Sequence, residues 1–147
     1  MENLNSQTIF SPDVMNVKTP EEVVQEMYNA FMTGDMEALK NTLSEDTVWV
    51  YEGPEDLPYA GIYQGKEGVL NFFAAIDDAV EILDFKVNTM ISNEQTVVVL
   101  GSEKQRIKTN GQILEQKWVQ VYTVENQLIT RLEEYANTAA AEKLFKL

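Results

Sequence analysis

Apolar positions along the chain recur first with a helical and then with a strand period. Val23, Val24, Met27, Ala30 and Phe31 share one helical face. Just before them stands Thr19-Pro20-Glu21-Glu22. Here threonine caps free amides, proline suits the first turn and Glu22 completes a capping box. Thr33-Gly34-Asp35 ends that helix, and Asp35 caps a second one with Met36, Leu39 and Leu43 on one face. The β-branched and aromatic run Thr47 to Tyr51 predicts a strand. After a loop containing Gly53, Pro54, Pro58 and Gly61, Gly65 opens a third helix that buries Val69, Leu70, Phe73 and Ile76.

From Val80 the period is two. Strands are expected near residues 82–91, 96–109, 112–124 and 128–135, with turns at Asn93-Glu94, Asn110-Gly111 and Asn126-Gln127. The tail from Asn137 to Leu147 suits a short helix. Helix, helix, strand, helix and a four-strand meander make an α+β layer, with helices on one face of a mostly antiparallel sheet. Residues 1–18 carry no period and read as an N-terminal arm, leaving residues 19–147 as a single domain.

Tight turns separate the sheet's faces. A two-residue turn at Asn110-Gly111 sets Glu103 opposite Trp118 and Gly101 opposite Gln120. A two-residue turn at Asn126-Gln127 sets Gln120 opposite Glu133 and Trp118 opposite Tyr135. The helix-covered face then carries Glu103, Trp118, Gln120, Tyr122, Glu133 and Tyr135. The outer face carries Val98, Leu100, Val119, Val121 and Leu132. This outer patch is apolar and lacks a covering element, which predicts a homodimer through it. A one-residue bulge in the second hairpin would turn Glu134 inward in place of Glu133.

Composition narrows the chemistry. The chain has neither cysteine nor histidine. Thiol nucleophiles and thiolate metal sites are excluded, and any general base must be a carboxylate, lysine or tyrosine. Net charge is −13, with 12 acids against 2 bases over residues 1–60. Such a field repels phosphate backbones, so nucleic acid is not an expected partner. No apolar run reaches membrane-spanning length and no basic, apolar leader opens the chain, so a cytoplasmic protein without a membrane partner is expected. GIYQGKE (61–67) has three residues between its glycines where a phosphate loop needs four, and Glu67 where that loop needs serine or threonine.

Three segments carry a family resemblance: TPEEVVQEMYNAFMTGDMEALKNTLSEDTVWVYEG, GIYQGKEGVLNFF and WVQVYTVENQLITRLEEYANTAAAEKLF. In this order they resemble the SnoaL-like domain, the polyketide-cyclase and ketosteroid-isomerase branch of the nuclear-transport-factor-2-like superfamily. The resemblance implies a cone-shaped, curved, mostly antiparallel sheet wrapped around three helices of the N-terminal half, a pocket between them, and dimerisation. It does not carry the family's known catalytic sets across. The isomerase's tyrosine, base and second acid fall on Met27, Tyr51 and near Gln120, and a late aspartate falls on Asn137. Steroid isomerase and epoxide hydrolase activities are therefore not expected.

The expected pocket comprises Met27, Trp49, Tyr51, Trp118, Gln120, Tyr122, Tyr135 and Asn137, with Glu103 and Glu133 as candidate catalytic carboxylates. A carboxylate on an inward face loses water, and its pKa rises toward the range of a useful base. Tyr51 and Gln120 are positioned to donate to a developing oxyanion. The expected function is binding of a small, largely apolar ligand, with glutamate-based isomerase, cyclase or hydrolase chemistry and no cofactor or metal. The alternative is a non-catalytic dimeric interaction or ligand-carrier module of the same fold.

Overall fold

The structure, a computed structural model, describes residues 17–147; the arm expected over residues 1–18 falls almost wholly outside them. Helix α1 spans Pro20–Thr33. Its capping box is formed: the Glu22 amide donates to Thr19 Oγ1 at 3.2 Å and the Thr19 amide to Glu22 Oε1 at 2.8 Å. Gly34, in the left-handed region at φ 73°, turns the chain out of the helix. Helix α2 is only Met36–Lys40. Leu43, expected on its face, instead opens strand β1 (Leu43–Tyr51), which starts four residues earlier than the Thr47–Tyr51 run suggests.

Strand β2 (Gly61–Gln64) was not expected, being short and mostly exposed. Helix α3 (Gly65–Ala79) follows, burying Phe72 as well as Val69. Then come β3 (Val80–Asn93), β4 (Thr96–Ile107), β5 (Ile113–Glu125), β6 (Leu128–Ala136) and helix α4 (Thr138–Phe145). The six strands form one curved, unclosed sheet in the order β2-β1-β6-β5-β4-β3. Only the β1–β6 pair is parallel. The core lies between the sheet's inner face and α1 and α3, and includes Val24, Met27, Trp49, Phe72, Trp118 and Tyr122. Among the described residues no helix is long and apolar enough to cross a membrane.

Two registers differ from the tight-turn expectation, with different consequences. The β4–β5 connection is wider than two residues, because the Ile107 amide donates to the Gln112 carbonyl. Asn110 holds this loop: its Oδ1 accepts from the Gln112 amide at 2.9 Å and its Nδ2 donates to the Leu144 carbonyl at 2.8 Å. Glu103 therefore faces Gln116, and Gly101 faces Trp118. The slip is two residues, so no side chain changes face.

The β5–β6 turn is tight as expected, with Asn126 and Gln127 both at positive φ. The register then shifts between Thr123 and Val124, which pair with Arg131 and Ile129 and leave Thr130 as the extra residue. Beyond this bulge β6 presents the opposite residues to the core. Leu132 is 1% exposed and belongs to the core, not to the outer face. Tyr135 is 43% exposed, and Glu133 pairs with Arg131 at 3.0 Å, so neither reaches the interior. Glu134 goes inside instead.

Candidate functional site

A cavity of about 560 Å³, mouth included, lies between the two long helices and the concave sheet face. Helix α1 contributes Met27, Tyr28 and Phe31, which the 3.6-residue period places on neighbouring parts of one face. Trp49 and Tyr51 alternate inward from β1, and Tyr59 comes from the loop after it. Phe72, Phe73 and Ile76 descend from α3, while β3 adds Ile82 and Phe85. The polar contribution comes from Glu103 and Gln105 on β4, Gln120 and Tyr122 on β5, and Glu134 on β6.

The two glutamates sit on strands either side of β5, and each accepts from the glutamine opposite it. Gln116 Nε2 donates to Glu103 Oε2 at 2.8 Å, and Gln105 Nε2 donates to Glu103 Oε1 at the same distance. Gln120 Nε2 donates to Glu134 Oε1 at 3.0 Å. The orientation of Gln120 is fixed from its other end, where Oε1 accepts from the Tyr122 hydroxyl at 2.7 Å and from the Tyr28 hydroxyl.

These bonds divide the two acids. Burial pushes the Glu103 carboxyl above the usual glutamate range, and the amides of Gln116 and Gln105 pull it back by favouring the charged form. Glu134 has one amide, lies in a drier place and feels the charge of Glu103; burial foremost pushes it up to about 8. Burial likewise pushes the hydroxyls of Tyr28, Tyr51, Tyr59 and Tyr122 up, so all four stay protonated at neutral pH. The site thus holds two carboxyls of different proton affinity and several neutral donors. Separation of two acids by environment is how one site acquires both a base and an acid.

Some polar atoms lining the cavity have no partner within the protein. The Trp49 indole N–H, the Tyr59 hydroxyl and Gln105 Oε1 are all buried and unpaired. Buried polar groups ordinarily find partners, so these three atoms are available to a ligand or to water. Among the described residues no group of three His, Cys, Asp or Glu side chains is placed to hold a metal ion.

Of the residues expected at the site, Met27, Trp49, Tyr51, Glu103, Gln120 and Tyr122 line this cavity. Trp118 is buried but packs on Gly101 and stacks on Phe85, with ring centroids 5.1 Å apart. Asn137 is exposed and caps α4, its Oδ1 accepting from the Ala140 amide at 3.2 Å. Glu133 and Tyr135 are turned outward by the bulge. Sequence reasoning missed Tyr28, Tyr59, Gln105 and Gln116, and it placed Glu134 inside only for the case of a bulge in the second hairpin. The parity that selects Glu103 also selects Gln105 and Gln116, so the signal for those two was present; Tyr59, in an irregular loop, left none.

The sequence profile of the SnoaL-like domain family matches residues 24–132. No curated protein matches the chain significantly. Among solved structures, the fold is similar to that of an NTF2-like protein from Burkholderia xenovorans LB400, at 25% identity and a TM-score of 0.79, covering 85% of this chain and 94% of that one. It is similar to TerC co-crystallised with polyporic acid, at 22% identity and a TM-score of 0.76, covering 87% and 98% of the two chains. It is also similar to a protein from Jannaschia sp. CCS1 described as a SnoaL-like polyketide cyclase, at 12% identity and a TM-score of 0.74, covering 85% and 90%.

Proposed function

The chain belongs to the SnoaL-like domain family, and from that premise we propose that its cavity binds a small, largely apolar ligand and moves a proton on it, with Glu103 as the shuttle. The observation that carries this reading is the unequal pair of carboxyls in one ring-lined cavity. Glu103, held by two amides, is the member suited to be ionised and to accept a proton. The Trp49 indole N–H and the Tyr59 hydroxyl, both unpaired, are the donors available to an oxyanion that develops as the proton leaves. Tyr51 remains a candidate for that role. Gln120 remains one as well, since only one of its two N–H groups is used on Glu134. The chemistry is that of an isomerase, cyclase or hydrolase working through side chains alone. Family membership supports the fold and the cavity; unrelated activities share such folds, so the reaction is argued from the site.

The reading includes a homodimer through the outer sheet face. Val98 lies beside Val121 and Leu100 beside Val119; the bulge puts Glu133 beside Val121 in place of Leu132 and brings Tyr135 beside Val119. An apolar patch over β4 and β5, bordered by Tyr135, is the kind of surface that a second copy covers.

The test is hydrogen exchange in D2O. Small ring-bearing ketones with an acidic α-hydrogen are incubated with the protein and followed by NMR. Exchange faster than buffer alone, lost in Glu103→Gln, is the expected result. Ketones that bind without exchange would make the protein a carrier, and the proton-transfer reading would fall.

A further inference from the structure

Two carboxyl groups open on the cavity, and no lysine or arginine lines it. Among the described residues the ion pairs all involve other acids, so neither Glu103 nor Glu134 has a cationic partner. A buried carboxyl is ordinarily paired or fully hydrogen-bonded. Glu103 meets that condition with an amide on each oxygen. Glu134, 6% exposed, has an amide on Oε1 alone. Gln105 Oε1, on the amide that donates to Glu103, is a buried acceptor with no donor. The surrounding walls are rings from Tyr28, Phe31, Trp49, Tyr51, Phe73 and Phe85, surfaces that tolerate a cation better than aliphatic ones.

An adjoining cleft shares Phe31, Phe73, Ile76 and Ile82 with the cavity and carries Asp77 and Glu81. It also carries Lys108, and Glu81 is paired with Arg106 at 2.9 Å, so the cleft itself is close to neutral. With a net charge of −13, the field of the whole chain draws cations in and turns anions away.

We propose that the ligand carries a protonated amine, which seats against the Glu134 carboxyl inside the ring-lined cavity and leaves Glu103 free for the proton-transfer step. This rests on the function proposed above and names its substrate class: a small, ring-bearing amine. The ammonium supplies the counter-ion that the protein lacks. Binding exchanges one positive charge for another, since Glu134 releases its proton to solvent as the ammonium arrives. The groups that act on Glu134 are Glu103 on β4, Tyr51 on β1, Tyr59 in the following loop, Tyr28 on α1 and Tyr122 on β5. The tyrosines stay neutral, so Glu103 is the only competing charge. Below the range in which Glu134 ionises by itself, affinity therefore rises with pH, by about tenfold per unit for one proton released.

Isothermal titration of the full chain at pH 7 with 2-naphthylmethylamine, 2-naphthylmethanol and 2-naphthoic acid tests this. The amine is expected to bind at least about tenfold more tightly than the alcohol, a difference of roughly 1.4 kcal/mol, and the acid more weakly than either. In Glu134→Gln, an isosteric change that keeps the Gln120 contact, the amine should lose its advantage over the alcohol. An alcohol that binds as well as the amine, or an amine preference that survives in Glu134→Gln, overturns the inference and leaves the cavity reading standing. No binding by any of the three overturns both.

Discussion

Glu134 lies directly across from Gln120, and Gln120 Nε2 donates to its Oε1 at 3.0 Å. That pairing exists only because Thr130 bulges from β6. Without the extra residue, Glu133 would face Gln120, and Glu134 would stand in water on the outer face. One bulged strand residue thus decides which of two adjacent glutamates is taken into the interior.

Stability should report that choice. Glu134 is pushed up to about 8 in the fold, whereas an unfolded glutamate titrates near ~4.3. The folded state then favours the protonated form. The stability that Glu134 confers is complete below the unfolded value and is lost as pH rises from there to about 8, with no further loss above it. Glu134→Gln should remove this loss and raise stability at pH 7 by on the order of a few kcal/mol. Glu133→Gln, on the surface beside Arg131, should change it by less than about 0.5 kcal/mol. Urea denaturation of both variants at pH 5 and pH 8 checks this. Equal responses would mean that the bulge does not sort the two residues.

Glu103 should distinguish loss of charge from loss of acceptors. Glu103→Gln keeps one acceptor oxygen for the facing amides and should fold with near-normal stability. Glu103→Leu leaves the Gln105 and Gln116 amides without their acceptor in a dry interior, at a cost of about 1–3 kcal/mol per stranded donor. Thermal or urea unfolding of the two variants measures the gap.

Gly101 permits the indole of Trp118 to lie on the β4 backbone. A Cβ built there would fall 2.0 Å from Trp118 Cζ2. The indole has no room to retreat, being 1% exposed and stacked on Phe85. Gly101→Ala should therefore destabilise the protein by at least about 1–3 kcal/mol, although alanine suits a strand no worse than glycine. Chemical denaturation should show the loss, together with changed Trp118 fluorescence.

The two faces of the sheet predict opposite phenotypes. Leu132→Ala removes core volume and should cost about 2–5 kcal/mol without altering subunit mass. Val121→Glu, on the half-buried outer face, should leave the fold intact and convert a dimer to a monomer in light scattering. A wild-type monomer at micromolar concentration would remove the dimer from the account.

Much of this was legible in the residues, and what was not has physical causes. The capping box at Thr19 and Glu22, the positive-φ turn at Asn126-Gln127 and the alternation along β4 and β5 are local signals, and local geometry follows them. The inward position of Glu103 survived a wrong register because Asn110 widened its loop by an even number of residues. The Thr130 bulge has no such local mark. It inverted the faces of Leu132, Glu133, Glu134 and Tyr135 together, moving two proposed site residues, Glu133 and Tyr135, and one proposed interface residue, Leu132, at once. Tyr28 was overlooked because a helix facing both a sheet and a cavity presents a wider stripe than one face of apolar residues suggests.

The account turns on two buried carboxyls of unequal proton affinity sharing one cavity, and carbon-13 NMR of the glutamate carboxyls against pH observes both directly. Glu103→Gln and Glu134→Gln assign the signals. One carboxyl, Glu134, should titrate near 8, and Glu103 should titrate below it but above a free glutamate. In Glu103→Gln the Glu134 midpoint should fall, because the neighbouring charge is gone. If both titrate near ~4.3, as glutamates in water do, the interior is wet, the two acids are alike and the proton-transfer site does not exist.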